Sequence, residues 1–317
     1  MEGPRILVVR LGAMGDIIHT LPAVASLKHG IPYSRITWVV EAKWACLLDG
    51  NPYVERVIPF DRRTLSGLRA TWRELRASRF DFAVDFQGLT KSALVAALAW
   101  PDRVYGFRDA RESPASWFYS TKVSTAAIHM VDRNFDLAAA AGASSLVSSF
   151  PIPTGRPEGT LPAGGFVLAS PQAGWGSKQW PLEYYFDLGQ RLQRETGMIL
   201  VLNGAQAAAA EWKYAFSHVS GIAGLIDATR RATAVIGVDS GPLHLAAALG
   251  KPGVAIFGPT DPARNGPYKS AIAVLRTPRA NTTYRRKAQS DGSMRAITPA
   301  MVLEALKPVL LAQPKRS

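Results

Sequence analysis

One cysteine, Cys46, stands among 317 residues, so no internal disulfide framework and no cysteine-rich zinc site can be assembled. This fits a reducing compartment. Long hydrophobic runs are also missing: the longest reach about ten residues before Gly, Pro or a charge interrupts them, against the roughly 20 needed to span a bilayer. The N-terminal MEGPRILVVRLG holds a strand-length apolar run without an h-region or cleavage site, so no signal peptide is read there. The GxGxxG dinucleotide fingerprint is absent. Gly12 and Gly15 stand three apart with Met14 between them, and no acidic residue ends the second strand in the expected way, which disfavours a nicotinamide enzyme. Acidic residues are the minority charge, 24 Asp and Glu against 37 Lys and Arg, for a net +13. What is present excludes disorder: 47% hydrophobic and 19% charged residues can bury sizeable cores. The length suggests two domains of about 150 residues each. The composition is that of a soluble, basic, cytoplasmic protein with anionic partners.

The charge is uneven. Residues 1–155 carry 18 basic and 14 acidic side chains, and residues 156–317 carry 19 and 10. Arg264, Lys269, Arg276, Arg279, Arg285, Arg286 and Lys287 follow one another with no acid between them. Such a stretch is either a solvated surface or a patch for nucleic acid, membrane phosphates or an anionic substrate. Zinc-finger spacing, RNP-like aromatics and basic heptads are all absent, so nucleic acid is disfavoured. A membrane surface or acidic glycolipid accounts for the excess equally well.

Apolar β-rich runs alternate with helical patterns from the start. Strands are expected at Arg5–Leu11, Arg35–Val40, Val54–Phe60 and Phe82–Phe86, with helices at Asp16–Lys28, Lys43–Leu48, Gly67–Ser78 and Leu89–Trp100. This alternation predicts an α/β fold with parallel sheets covered on both faces. Ser148–Gly165, dense in Pro, Gly and Ser, reads as a linker. The alternation then restarts with Phe166–Ser170, Leu182–Thr196, Met198–Asn203, a helix from Ala207, Thr233–Gly237, Leu243–Leu249 and Val254–Phe257, and an amphipathic Pro299–Leu311 closes the chain. The expected division is residues 1–155 and 156–298, two Rossmann-like domains, followed by a C-terminal helix and tail over 299–317. Ligands of such sheets bind beyond the carboxyl ends of the strands, here in the cleft between domains.

Four loops carry the chemistry. In LGAMGDIIHTLP, Gly12 and Gly15 permit a tight turn, and Asp16 opens the next helix either as its N-cap or as a chemical group; the two roles are compatible. In VDSGPLHL, Asp239, Ser240 and Gly241 sit at a strand-to-helix turn and Pro242 suits the first helical position. The helix end there favours a diphosphate, with His244 one turn in. In SPQAGWGSKQWP, Gly174 and Gly176 allow the backbone to face a ligand, Lys178 offers a point charge, and Trp180 packs inward. FGPTDP reads as a turn that shapes the cleft. Three phosphate-suited loops in one half point to a nucleotide-diphosphate ligand.

In this order the motifs GAMGDIIHTLPA, WVVEAKW, VERVIPF, VDFQGLTKSA, RESPASWFY, SKQWP and DSGPLHLAAALGKP resemble the bacterial lipopolysaccharide heptosyltransferases of glycosyltransferase family 9 over nearly the whole chain. The first half is most similar to the heptosyltransferase I branch, through MGDIIHTLP and QGLTKSA. The resemblance implies the GT-B fold and transfer of heptose from ADP-heptose to Kdo of the lipid A inner core, inverting and without a metal or other cofactor. It implies Asp16 as general base, with Gly174, Lys178, Ser240, Gly241 and His244 holding the departing diphosphate. Asp239 would contact the heptose or fix its loop. Lys91, Arg111 and Glu112 would face the anionic acceptor, helped by Arg62 and Arg63. The lipid-linked acceptor so implied, together with the net charge of +13, predicts a peripheral position at the inner face of the cytoplasmic membrane. The segment Asn203–Ala210, NGAQAAAA, departs from the family pattern by lacking a ribose-binding glutamate, leaving that contact to Glu211 or Gln206. Ala173 and Gly174 stand where hydroxyl residues often precede the lysine. Competing readings are another family 9 glycosyltransferase (heptosyltransferase II/III-like), a GT-B sugar-nucleotide transferase with a different donor, an epimerase, or a basic nucleotide-sugar or nucleic-acid binding protein in which Asp16 is only a cap.

Overall fold

The computed structural model describes residues 3–204, 214–283 and 285–311. The chain divides into two compact units, Met1–Pro153 and Thr154–Ser317. The first comprises β1 (Arg5–Val9), α1 (Met14–Gly30), β2 (Arg35–Glu41), β3 (Arg56–Phe60), α2 (Leu65–Arg76), β4 (Phe82–Asp85), α3 (Thr90–Leu98), β5 (Arg103–Phe107), β6 (Thr121–Val123) and α4 (Met130–Ala140). The second comprises β7 (Phe166–Ser170), α5 (Leu182–Thr196), β8 (Ile199–Asn203), β9 (Ala215–His218), α6 (Ile222–Arg231), β10 (Ala234–Val238), α7 (Gly241–Ala248), β11 (Gly253–Phe257), α8 (Pro262–Asn265), β12 (Ile272–Arg276), α9 (Gly292–Arg295) and α10 (Pro299–Leu311). The helix expected from Ala207 begins outside the described residues.

Each unit holds a six-stranded parallel sheet, ordered β3-β2-β1-β4-β5-β6 in the first and β12-β11-β10-β7-β8-β9 in the second. Counted from its own first strand, each sheet has the same order. That order reverses between β1 and β4 and between β7 and β10. The loops leaving these strand pairs diverge at the carboxyl edge and leave room for a ligand.

The central strands are apolar on both faces because helices cover both. β7, β10 and β11 are buried at every residue. α1 is buried along most of its length, from Met14 through Leu27, and packs against α4. α5 is two-sided: Tyr185, Leu188 and Leu192 recur at helical spacing and face the core, and Gly197 at φ 70° ends the helix in the left-handed region. α10 packs against α5, and its Val302, Leu303 and Leu306 join Tyr185, Leu188 and Leu192 in one core. The Pro- and Gly-rich stretch around the division is not a loose tether: Glu158 accepts the Gly221 N–H at 2.8 Å, and Thr160 O lies 3.2 Å from Nδ1 of the buried His218.

Candidate active site

In the first unit, β1 ends at Val9 and runs into Arg10 and Leu11, and β4 ends at Asp85 and runs into Phe86, Gln87 and Gly88. The two exits are tied together. Arg10 Nη1 donates to Phe86 O, and the Leu11 N–H donates to Gln87 Oε1 at 2.7 Å. Ala13, not Asp16, is the N-cap of α1. Asp16 sits three residues further on, and its Oδ2 accepts the Ala13 N–H at 3.3 Å, so the cap expected at Asp16 becomes the reciprocal half of a capping box. Its other oxygen, Oδ1, lies 2.8 Å from Nη2 of the buried Arg10, and Arg111 Nη1 stands 4.0 Å from Oδ2. A carboxylate with 30% of its side chain exposed is thus fixed in orientation and still reachable.

The second strand runs one residue beyond the expected Val40 and ends in Glu41, so an acidic residue does close β2. Its neighbours are cations: Lys91 Nζ at 3.3 Å, Lys43 Nζ at 3.6 Å and Arg62 Nε at 3.7 Å. One carboxylate among three cations leaves a local positive excess suited to an anionic group. The structure therefore brings Arg62 and Lys91 together and places Arg111 beside Asp16. Arg63 donates its backbone N–H to Asp61 at 2.9 Å and has an exposed side chain. Glu112 accepts the Thr90 N–H at 2.8 Å, which lowers its pKa and pins the start of α3. Beneath these loops Asp85 is fully buried and accepts from Tyr119 Oη at 2.6 Å, Ser92 Oγ at 2.8 Å and the Gln87 N–H at 2.9 Å. Burial pushes the Asp85 carboxyl up, outweighing these hydrogen bonds, and burial beside Asp85 pushes Tyr119 up as well.

In the second unit, the loops after β7 and β10 meet at the sheet's reversal. Lys178, on a short 3₁₀ turn over Gly176–Lys178, donates from Nζ to Asp239 Oδ2 at 2.5 Å and to Asp239 O at 3.3 Å. His244 Nε2 lies 3.6 Å from Asp239 Oδ1. Burial raises the Asp239 carboxyl, but the His244 ring and the Lys178 charge outweigh it and bring the pKa to about 2. Ser240 is the N-cap of α7, yet its side chain makes no cap hydrogen bond, and its Oγ is buried without a partner among the described residues. Gly241 opens the helix, and open space lies beside the Cα of Gly174.

Sequence reasoning missed several residues here. Trp175 lies between two cations, Lys178 Nζ at 4.4 Å and the Arg286 guanidinium at 5.2 Å from its ring centre. Arg286 belongs to the basic stretch of residues 264–287. That stretch is stitched to the lysine loop: the Ser177 N–H donates to Lys287 O at 3.0 Å, and Ser290 Oγ to Gln179 O at 2.7 Å. Thr260, after β11, is buried, and its Oγ1 has no hydrogen-bond partner among the described residues. Trp180 does pack inward, with its Nε1 2.8 Å from Ile297 O. In the first unit the missed residues are Arg10, Glu41 and Asp85. A charged residue interrupting the apolar run RILVVRL was the available signal for Arg10. The altered stretch after Gly204, with Gln206 and Glu211, lies outside the described residues.

Two parallel sheets of this order, each with a charged site at the reversal of its strands, define an α/β enzyme of the GT-B class. Residues 68–294 match Glycosyltransferase family 9 (heptosyltransferase), and the chain belongs to that family of glycosyltransferases. It is 33% identical over 307 residues to Lipopolysaccharide heptosyltransferase 1 of Escherichia coli, covering 87% of this chain and 95% of the relative. It is also 33% identical over 297 residues to the protein of the same name from Pseudomonas aeruginosa, covering 83% and 81%. Among solved structures, the E. coli heptosyltransferase WaaC with ADP-2-deoxy-2-fluoro heptose superposes with a TM-score of 0.77 at 27% identity, covering 96% of this chain and 99% of that one.

Proposed function

We propose that the protein transfers L-glycero-D-manno-heptose from ADP-heptose to Kdo of the lipid A inner core, with inversion at the anomeric carbon and without a metal ion. The observation that carries this reading is the Lys178–Asp239 pair at the reversal of the second sheet, 2.5 Å apart, beside the N-terminus of α7. Lys178, Arg286, Ser240 Oγ and the first N–H groups of α7 supply cations and donors for a diphosphate that gains charge as the glycosidic bond breaks. Asp239 and His244 fix Lys178 rather than meet the sugar. Asp16 acts as general base: it takes the proton of the acceptor hydroxyl as that oxygen attacks the anomeric carbon and ADP departs. Arg10 orients the carboxylate. Lys43, Arg62, Lys91 and Arg111 bind the anionic acceptor, and Glu41 holds the first three in place. The similarity to relatives named for lipopolysaccharide heptose transfer, and to a structure holding an ADP-heptose analogue, supports the same choice of donor and acceptor.

The acceptor is lipid-linked and the chain carries +13, so the enzyme works against the anionic inner face of the cytoplasmic membrane. No helix among the described residues is long and apolar enough to cross a membrane. The deciding experiment is mass spectrometry of heptose-free Kdo-lipid A incubated with ADP-heptose, wild type beside Asp16→Ala. A gain of one heptose with wild type alone is expected, because removing a general base costs about 10²–10⁴ in rate. ADP binding by Asp16→Ala should be retained. Gain with both proteins would remove Asp16 from the chemistry, and gain with neither would move the enzyme to a different donor.

A further inference from the structure

We propose that the outer face of α2 is the surface by which this protein rests on an anionic lipid bilayer, with Leu65, Leu68 and Trp72 entering the headgroup layer and the neighbouring arginines meeting lipid phosphates. The proposal rests on the lipid-linked acceptor of the preceding reading and adds the surface that meets the lipid. α2 buries Thr71 and Leu75 and packs on β3, with Thr71 Oγ1 3.3 Å from Pro59 O. A second apolar stripe is exposed, with no described residue covering it. Leu65 is 75% exposed and Trp72 50%, with Leu68 exposed between them, at the i, i+3, i+7 spacing of one helix side. The stripe continues past the end of the helix. The Arg76 guanidinium lies 4.4 Å from the ring centre of Trp100, which is 73% exposed, and Leu94 and Leu98 are exposed on α3, which packs against α2.

Arg62, Arg63, Arg69, Arg73 and Arg76 edge this stripe, and the acid among them, Glu74, is paired with Arg56 at 2.8 Å. Exposed Trp and Leu clustered on one face mark an interaction surface. The arginines decide which kind. A second copy of this chain, or any basic protein, would bring like charges together. An anionic bilayer accepts both components, taking indole and leucine into its interface and arginine at its phosphates. Arg62 links this face to the cation cluster, 3.7 Å from Glu41. An acceptor could thus offer its sugars to that cluster while its acyl chains stay in the bilayer.

The test is sedimentation of the full chain with phosphatidylglycerol–phosphatidylcholine vesicles at low salt. Wild type is compared with Leu65→Ser/Trp72→Ser and with Arg69→Gln/Arg73→Gln. Each double variant alters exposed side chains, and unchanged circular dichroism is the folding control. The expected result is at least a tenfold loss of partitioning for each variant, with unchanged turnover on a deacylated Kdo acceptor. Variants that bind vesicles as wild type does, or a wild type that binds none, would overturn the proposal. So would a wild-type dimer that Leu65→Ser/Trp72→Ser converts to monomer in the absence of lipid. Loss of partitioning in the variants, with no heptose transfer by any of the proteins, would uphold the surface and remove only the heptosyltransferase reading.

Discussion

At the scale of single residues, Asp239 shows how one buried carboxylate organises a site. A carboxyl pKa lowered from 3.8 to about 2 contributes stability that is fully present above 3.8 and is lost as pH falls through about 2. The cluster of Lys178, Asp239 and His244 therefore stays assembled across any ordinary assay pH, and acid loosens it only below about pH 4. Replacing Asp239 by Asn removes the charge that anchors Lys178 at 2.5 Å and leaves that ammonium, 15% exposed, without its counter-charge. Breaking one side of such a pair costs about 2–3 kcal/mol, discounted for the remaining exposure of the lysine. Urea unfolding should show that loss, and calorimetric titration should show ADP affinity falling tenfold or more. If Asp239 instead touched the sugar, ADP would bind Asp239→Asn normally and only ADP-heptose would bind more weakly.

At the scale of elements, the loops after the strands are held by neighbours remote in sequence. A Cβ at Gly176 would stand 1.6 Å from Ala288 O, so the lysine turn and the segment that carries Arg286 fit together only with glycine at this position. Gly176→Ala should push these two segments apart and weaken ADP binding about tenfold, while the circular dichroism of the sheet stays unchanged; normal ADP affinity would show that the turn tolerates the shift. The same geometry explains what could be read in advance. β7 and α5 fall at their expected bounds and α10 begins at the expected Pro299, because residues 166–169 are a continuous apolar run, Pro181 and Gly197 flank α5, and Pro299 suits a first helical turn. β6 and β9 are three and four residues long, too short for any periodicity, and β12 carries exposed Ala273 and Val274 at a sheet edge. In α4 alanine and charge blur the apolar stripe, whereas α6 buries Leu225, Ile226, Ala228 and Thr229 on one side, a two-sided pattern that sequence reasoning missed. The loop motifs around Asp16, Lys178 and Asp239 were readable because each is local. The meeting of Glu41 with Lys91, fifty residues apart, and of Trp175 with Arg286 depends on strand order, which no local pattern encodes.

At the scale of the whole molecule, two sheets of the same order have separate cores, and the candidate groups divide between them. Asp16 and the cation cluster lie in the first unit, and Lys178, Asp239 and Ser240, the proposed diphosphate site, lie in the second. Separate cores should unfold as separate transitions, since cooperativity follows contiguous packing. Asp85→Ala acts on the first alone. It leaves Tyr119 Oη, Ser92 Oγ and the Gln87 N–H without their buried acceptor, a loss of about 3 kcal/mol. In a unit of this size that lowers the transition by about 6–12 °C. Under the proposed assignment ADP binds the second alone, and at a hundred times its Kd it should stabilise that unit by about 2.7 kcal/mol, a rise of several degrees. Scanning calorimetry of wild type and Asp85→Ala, each with and without ADP, should therefore show two transitions moved independently, one down by the substitution and the other up by the nucleotide. If ADP raised the transition that Asp85→Ala lowers, the nucleotide would belong to the unit carrying Asp16, and the assignment of donor and acceptor to the two units would be reversed.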